Sequence, residues 1–162
     1  MADKIRYTLD NFIKEDIPIH CPKGLYKREE DVIFSIYQGS LFYASYISRM
    51  FDIHHNIIKF QRYDGDDSVA TVHTLNNFSS FKRLILIDDI IDEGDTMIKC
   101  LETICDKYNI LEERYNMIKV IAIFGKEGGL EKVRSRFPGI EIEVWRKGDD
   151  DVWVDFFTEP ES

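Results

Sequence analysis

The sequence predicts an α/β domain, a mainly parallel twisted sheet flanked by helices, and three observations carry that prediction. Apolar runs of strand length alternate with helical patterns, the order expected when each strand leads into a crossover helix. The strongest runs, VIFSIY (32–37), LILI (84–87) and VIAIF (120–124), are apolar almost throughout, as strands buried on both faces require. Between them, Leu41, Ala44, Ile47 and Phe51 fall on one helical face, and Met97, Leu101, Ile104 and Tyr108 fall on another. Two helices therefore pack on the sheet.

Taken in order, the remaining segments fill in the architecture. NIIKF (56–60) adds a further strand, and IEIEVW (140–145) alternates, which predicts a half-exposed strand at an edge. QRYDGDDSVATVHTLNNFSS (61–80) has no strong period and many turn formers, so it reads as a long mobile excursion of the kind that closes over sites. A chain of 162 residues with 44% hydrophobic content supports one core, hence a single domain over 1–162.

Charge and cysteine content narrow the function classes. A formal net charge of -9 argues against nucleic acid or an anionic membrane as a partner, since both reward clustered Lys and Arg. Cys21, Cys100 and Cys105 are odd in number and lack a framework spacing, and no segment is apolar enough for a membrane span or signal peptide. A reduced, cytoplasmic protein is expected. His20 with Cys21 has no second pair at zinc spacing, and adjacent His54 and His55 point apart on a strand, so no structural metal is expected.

The chemistry concentrates in ILIDDIIDEGDT (85–96). A buried strand is expected to stop at Asp88 and Asp89, turn through Asp92, Glu93, Gly94 and Asp95, and restart as a helix near Thr96. That places polar groups at the carboxyl edge of the sheet, where α/β proteins hold ligands. Backbone N–H groups of the first helical turn favour an anion, and Gly94 permits its close approach. Asp88 and Asp89 would then face hydroxyls or a hard cation such as Mg2+. The plainer reading of the same residues is a strand-turn-helix whose acids complement the helix dipole.

Four apolar residues, two acids, two apolar residues, an acid, a glycine and a Thr closely resemble the phosphoribosyl-diphosphate (PRPP) signature of type I phosphoribosyltransferases. The resemblance implies that Asp88 and Asp89 hold the ribose hydroxyls and Mg2+, directly or through water. It implies that Asp92, Glu93, Gly94, Asp95 and Thr96 wrap the 5′-phosphate, and that Asp92 is the catalytic acid or base at purine N7. Glu93 departs from the family's usual Thr. A carboxylate about 4 Å from a phosphate charge is opposed by roughly 1 kcal/mol in water and roughly 4 at an effective dielectric of 20, so the side chain is expected to point away.

The purine-salvage branch, that of the xanthine-guanine and hypoxanthine-guanine enzymes, fits the rest of the chain in order from about residue 33 to 156. Gln38 and Gly39 stand in the diphosphate loop, with Gln38 in place of the usual Arg. Lys126, in FGKEGG (124–129), stands where the branch reads the purine 6-oxo group. DDDVWVDF (149–156) resembles the C-terminal hood, taken here as about 140–162, with Trp153 stacking on the base, Val154 offering backbone groups and Asp155 accepting from a purine amino group. IRYTLDNFIKED (5–16) resembles the branch's short N-terminal helix. Implied substrates are PRPP and a 6-oxopurine, with Mg2+ as cofactor and a homodimer or homotetramer as the assembly. A non-catalytic nucleotide-binding or regulatory protein on the same fold is the alternative, because Gln38, Glu93 and Asp95 make the phosphate sites less positive.

Overall fold

The computed structural model describes residues 3–37, 39–62, 68–73, 81–149 and 151–158. Among these, six strands form one sheet in the order β4-β3-β2-β5-β6-β7: β2 (Asp31–Tyr37), β3 (His54–Arg62), β4 (Ser68–His73), β5 (Arg83–Ile91), β6 (Ile118–Lys126) and β7 (Glu141–Gly148). All neighbours are parallel except β3 and β4. The fold class expected from the sequence is the one observed.

Alternation along the strands feeds two cores. Val32, Phe34, Leu84, Leu86, Val120 and Ala122 point to one face, which α3 (Asp95–Lys107) covers with Met97, Leu101 and Ile104, and α4 (Glu127–Arg136) with Leu130 and Val133. Ile33, Ile85, Ile87, Ile121 and Ile123 point to the other, beneath Tyr43, Ala44 and Ile47 of α2 (Leu41–Phe51) and Phe12 of the N-terminal segment. Each fully buried side chain of this size is worth about 1.5–3 kcal/mol. The sheet is thus a middle layer.

The edges differ from the sequence reading in instructive ways. β7 is the expected half-exposed edge strand. The segment 61–80 contains β4, which returns antiparallel along β3; residues 63–67 and 74–80 lie outside the described ones. The N-terminal segment is only partly helical: Asp3–Tyr7 is strand β1, followed by a π-helical stretch Asn11–Asp16 and the short α1 (Ile17–His20). β1 is extended because it pairs in parallel with β8 (Val152–Phe156), and that two-stranded layer is the hood. No helix of the described residues is long and apolar enough to cross a membrane.

A three-residue lock seats the hood. The Tyr7 hydroxyl donates to Asp16 Oδ2, and the Arg146 guanidinium of β7 donates to both Asp16 oxygens, at 3.0 Å from Nε to Oδ2 and 3.1 Å from Nη2 to Oδ1. Asp16 is buried at 4% exposure, so the charge-assisted pairs satisfy a carboxylate that burial alone would disfavour.

Candidate active site

Chain direction explains where a site can form. From β2 the chain moves through α2 to β3 on one side; from β5 it moves through α3 to β6 on the other. The two departing loops leave a crevice between the carboxyl ends of β2 and β5, the position at which open α/β sheets hold ligands. A cavity of about 460 Å³ lies there, lined by Ile36, Tyr37 and Gly39 from the first loop and by residues 88–97 from the second.

Asp88 and Asp89 correct the expectation that the strand stops before them. β5 continues to Ile91, with Asp88 paired to Ala122 and Ile91 to Gly125 of β6, and the two acids are only 7% and 8% exposed. Backbone donors make this tolerable: Asp88 Oδ1 accepts from the Asp89 N–H at 2.8 Å, and Asp89 Oδ1 from the Ile90 N–H at 2.7 Å. Among the described residues, neither carboxylate has a basic partner. Burial, with the neighbouring Asp89 carboxylate, pushes the Asp88 carboxyl well above the usual range, and burial pushes Asp89 up as well. The pair is short of positive charge.

Three glycines shape the crevice. A Cβ on Gly39 would lie 2.2 Å from Asp89 Oδ2, so the first loop passes directly over the acidic pair. Gln38, its expected partner in that loop, lies outside the described residues. Gly94 has φ +91°, and its Cβ would meet the Gly129 carbonyl at 2.7 Å; a Cβ on Gly129 would meet the Asp92 carbonyl at 2.2 Å. The turn 92–94 therefore leans on the first turn of α4, and the glycines of FGKEGG act as packing partners of the acidic turn. Ser40 completes the frame: its buried hydroxyl lies 2.8 Å from the Ile36 carbonyl and 2.9 Å from that of Ile87, tying the first loop to β5 just before Asp88. The sequence places Ser40 only as a member of the loop Tyr37, Gln38, Gly39 and Ser40 and Gly129 only within FGKEGG, and shows neither of these contacts, because both act on backbone that is distant in sequence.

The remaining acids divide by partner. Asp92 Oδ1 sits 2.9 Å from Lys126 Nζ, which reaches over from the end of β6 with its side chain 13% exposed. Asp95, in the first turn of α3, is paired with Lys132 of α4. Glu93 is exposed and lines the cavity without an ion-pair partner among the described residues. Thr96 is half-buried at the first turn of α3, where backbone N–H groups are available to an anion. Among the described residues, no group of three or more His, Cys, Asp or Glu side chains is arranged to hold a metal ion.

Geometry thus joins Gly39, Asp88, Asp89 and residues 92–96 around one cavity, with Lys126 attached through Asp92. The hood residues stand apart from that lining. Val154 is buried against the core, Trp153 is 67% exposed, and Asp155 is half-buried with its carboxylate 3.7 Å from Lys4 Nζ. Phe156 packs edge-on against Phe124, two residues before Lys126, which sets the hood above the end of β6.

The model of the PRTase-CE family matches residues 3–155. Comparison with curated proteins gives no match. Among solved structures, the chain is similar to the purine phosphoribosyltransferase of Pyrococcus horikoshii, with 19% identity, a TM-score of 0.65 and coverage of 99% of this chain and 97% of that one. It is also similar to the xanthine-guanine-hypoxanthine phosphoribosyltransferase of Helicobacter pylori, with 14% identity, a TM-score of 0.61 and coverage of 97% and 93%. A third is a hypothetical protein from Neisseria gonorrhoeae with bound ppGpp, at 20% identity, a TM-score of 0.59 and coverage of 96% and 89%. At these identities the likeness establishes the fold.

Proposed function

The chain belongs to the PRTase-CE family of phosphoribosyltransferases, and on that premise we propose that it transfers the 5-phosphoribosyl group of PRPP to a 6-oxopurine (hypoxanthine, guanine or xanthine), giving the nucleoside 5′-monophosphate and diphosphate. The observation that carries this reading is the buried Asp88–Asp89 pair at the crevice between β2 and β5, followed at once by a glycine-turned loop that opens α3. Hydroxyl-binding and phosphate-binding groups thereby stand side by side, as ribose-5-phosphate requires.

Each group has a role that follows from its chemistry. Asp88 and Asp89 accept from the ribose 2′- and 3′-hydroxyls, and the backbone N–H groups of residues 93–96 receive the 5′-phosphate. The bond from C1 to the diphosphate oxygen breaks and a bond from C1 to a purine nitrogen forms, through an oxocarbenium-like transition state. Asp92 takes or holds the proton at purine N7; its ion pair with Lys126 fixes the carboxylate at the end of β6 and brings the ammonium toward the 6-oxo position. Trp153 stacks on the base.

The donor set fits Mg2+. Two buried carboxylates without a basic partner suit a hard cation, which one or two carboxylates usually hold together with substrate phosphate oxygens. Asp88 and Asp89 would hold it, directly or through water, and when bound it neutralises charge on the departing diphosphate.

One observation favours a second reading. Glu93 leaves an unpaired carboxylate in the phosphate loop, which suits a protein that binds a nucleotide without turning it over, and a structural neighbour carries bound ppGpp. The test is PRPP- and Mg2+-dependent nucleoside monophosphate formation with hypoxanthine, guanine, xanthine, adenine and orotate in parallel. Product from a 6-oxopurine, lost in Asp92→Asn while PRPP still binds, is expected. Nucleotide binding without product from any base would select the second reading, and equal turnover by Asp92→Asn would remove Asp92 from the mechanism.

A further inference from the structure

The acidic turn after β5 is met by a single face of the segment that packs against it. Lys126, Gly129 and Lys132 recur at every third residue from the end of β6 into α4, and each touches the turn. Lys126 Nζ lies 2.9 Å from Asp92 Oδ1, Gly129 abuts the Asp92 carbonyl, and Lys132 Nζ donates to Asp95 Oδ1. Residues three apart on a helix share a face, so Gly129 and Lys132 approach the turn together. Lys132 and Asp95 are 37 positions apart in sequence, and they meet because α4 lies beside α3.

Asp95 is the acid in the turn that most needs a partner. It is the first residue of α3 and lines the cavity, so its carboxylate stands beside the backbone N–H groups that open the helix. An acid in a first helical turn suits the dipole, yet it competes with an incoming anion for the same N–H groups and repels it. Lys132 holds that carboxylate toward α4 and offsets its charge. The two side chains are 53% and 55% exposed, so the pair itself adds little to stability, and its main consequence is for what binds beside it.

Resting on the 5′-phosphate role proposed above for residues 93–96, we infer that Lys132 is a positioning residue for that phosphate: from α4 it draws the Asp95 carboxylate off the first turn of α3 and neutralises it, which opens the turn to an anion. Lys132 acts through Asp95 and touches no reacting atom. The two ends of this ion pair are therefore opposed in effect. Losing the lysine leaves an unmatched acid beside the phosphate, whereas losing the acid leaves a lysine that attracts it.

Calorimetric titration of the full chain with ribose 5-phosphate and with PRPP, in low and high salt, tests this on wild type, Lys132→Gln, Asp95→Asn and the double variant. Lys132→Gln should weaken both ligands by about three- to tenfold in low salt, the size expected of one partly screened carboxylate near a phosphate, and high salt should shrink the difference. Because ribose 5-phosphate has no diphosphate, a loss of the same size with both ligands assigns the effect to the 5′-phosphate. Asp95→Asn should bind at least as tightly as wild type, and the double variant, as neutral as the intact pair, should return to within about twofold of it. Thermal melts within about 4 °C of wild type show that each variant is folded. A plain tether between α3 and α4 predicts instead that all three variants lose affinity alike. That result, an unmoved Lys132→Gln, or a double variant as weak as Lys132→Gln overturns the inference while wild-type PRPP binding leaves the transfer reaction standing. A wild type that binds neither ligand overturns the phosphate-loop reading, and the inference falls with it.

Discussion

Gly128 and Gly129 are neighbours in the first turn of α4, yet alanine at the two positions should act with opposite sign. A Cβ on Gly128 meets nothing within 4 Å, so Gly128→Ala only removes the backbone freedom of a helical glycine and should stabilise by about 0.5–1 kcal/mol. A Cβ on Gly129 would sit 2.2 Å from the Asp92 carbonyl oxygen, 2.9 Å from its carbon and 3.1 Å from the Glu93 carbonyl carbon, all backbone atoms. Since ordinary contact begins at 3.4 Å, the turn or the helix must retreat by about 1 Å. Overpacking of this kind costs about 1–3 kcal/mol, and the helix-propensity gain of at most about 1 kcal/mol only partly offsets it. At about 2–4 °C per kcal/mol for a chain of this size, Tm should fall by several degrees in Gly129→Ala and rise by about 1–4 °C in Gly128→Ala. Function should separate the pair further. The displaced atoms belong to the turn that carries Asp92 and the phosphate-binding N–H groups, where a misplacement of about 1 Å costs up to about 100-fold. Thermal melts and steady-state kcat/KM for PRPP on both variants make the assay. If Gly129→Ala matches Gly128→Ala in Tm and retains wild-type kcat/KM, the turn is not supported by α4 and the account of this site is wrong.

Further consequences follow from the acids and the hood. Because burial raises the folded-state pKa of Asp88 and Asp89, their contribution to stability is fully present below the unfolded carboxylate range and is lost as pH rises through the raised values. Asp88→Asn should therefore melt near wild type at low pH and above it at pH 8, at about 1.4 kcal/mol per unit of raised pKa; a Tm difference that does not change with pH would contradict this. Glu93→Thr should tighten PRPP binding at least about fivefold at low ionic strength, the lower bound for removing a carboxylate about 4 Å from a phosphate charge, and calorimetric titration showing no change would place Glu93 away from the phosphate. Tyr7→Phe deletes one hydroxyl bond to Asp16 and keeps the ring packing, so it should raise KM for the base severalfold with PRPP affinity intact; equal losses for both substrates would make the lock a general stability element.

How much of this was legible in the sequence follows from how local each signal is. Strands β2, β5 and β6 were readable because parallel strands buried between two helical layers must be apolar nearly throughout, and no partner identity is needed to see that, whereas β3 showed only the short run NIIKF. Asp88 and Asp89 were readable as site residues for the opposite reason, two acids interrupting such a run. Their burial was not, because it depends on a loop that arrives from β2: Gly39 closes over Asp89, and Ser40 bonds back to Ile87, 47 positions away. β1 looked helical because its pairing partner is β8 at the far end of the chain, and the Arg146–Asp16 bond that seats the hood spans 130 positions. The residues whose structural role escaped notice share a property. Ser40, Gly129 and Asp16 act by fitting or bonding a distant part of the chain, so their value is set by where that part lies, and a single sequence shows only that a small or charged residue is present. Glu93 sits at the other limit. It is exposed and constrains no packing, so the fold tolerates it, and its effect is electrostatic, directed at whatever ligand arrives in the cavity it lines. Substitution of Glu93 should therefore move affinity while leaving Tm nearly constant, whereas substitutions at Gly129 and Asp16 should move both together.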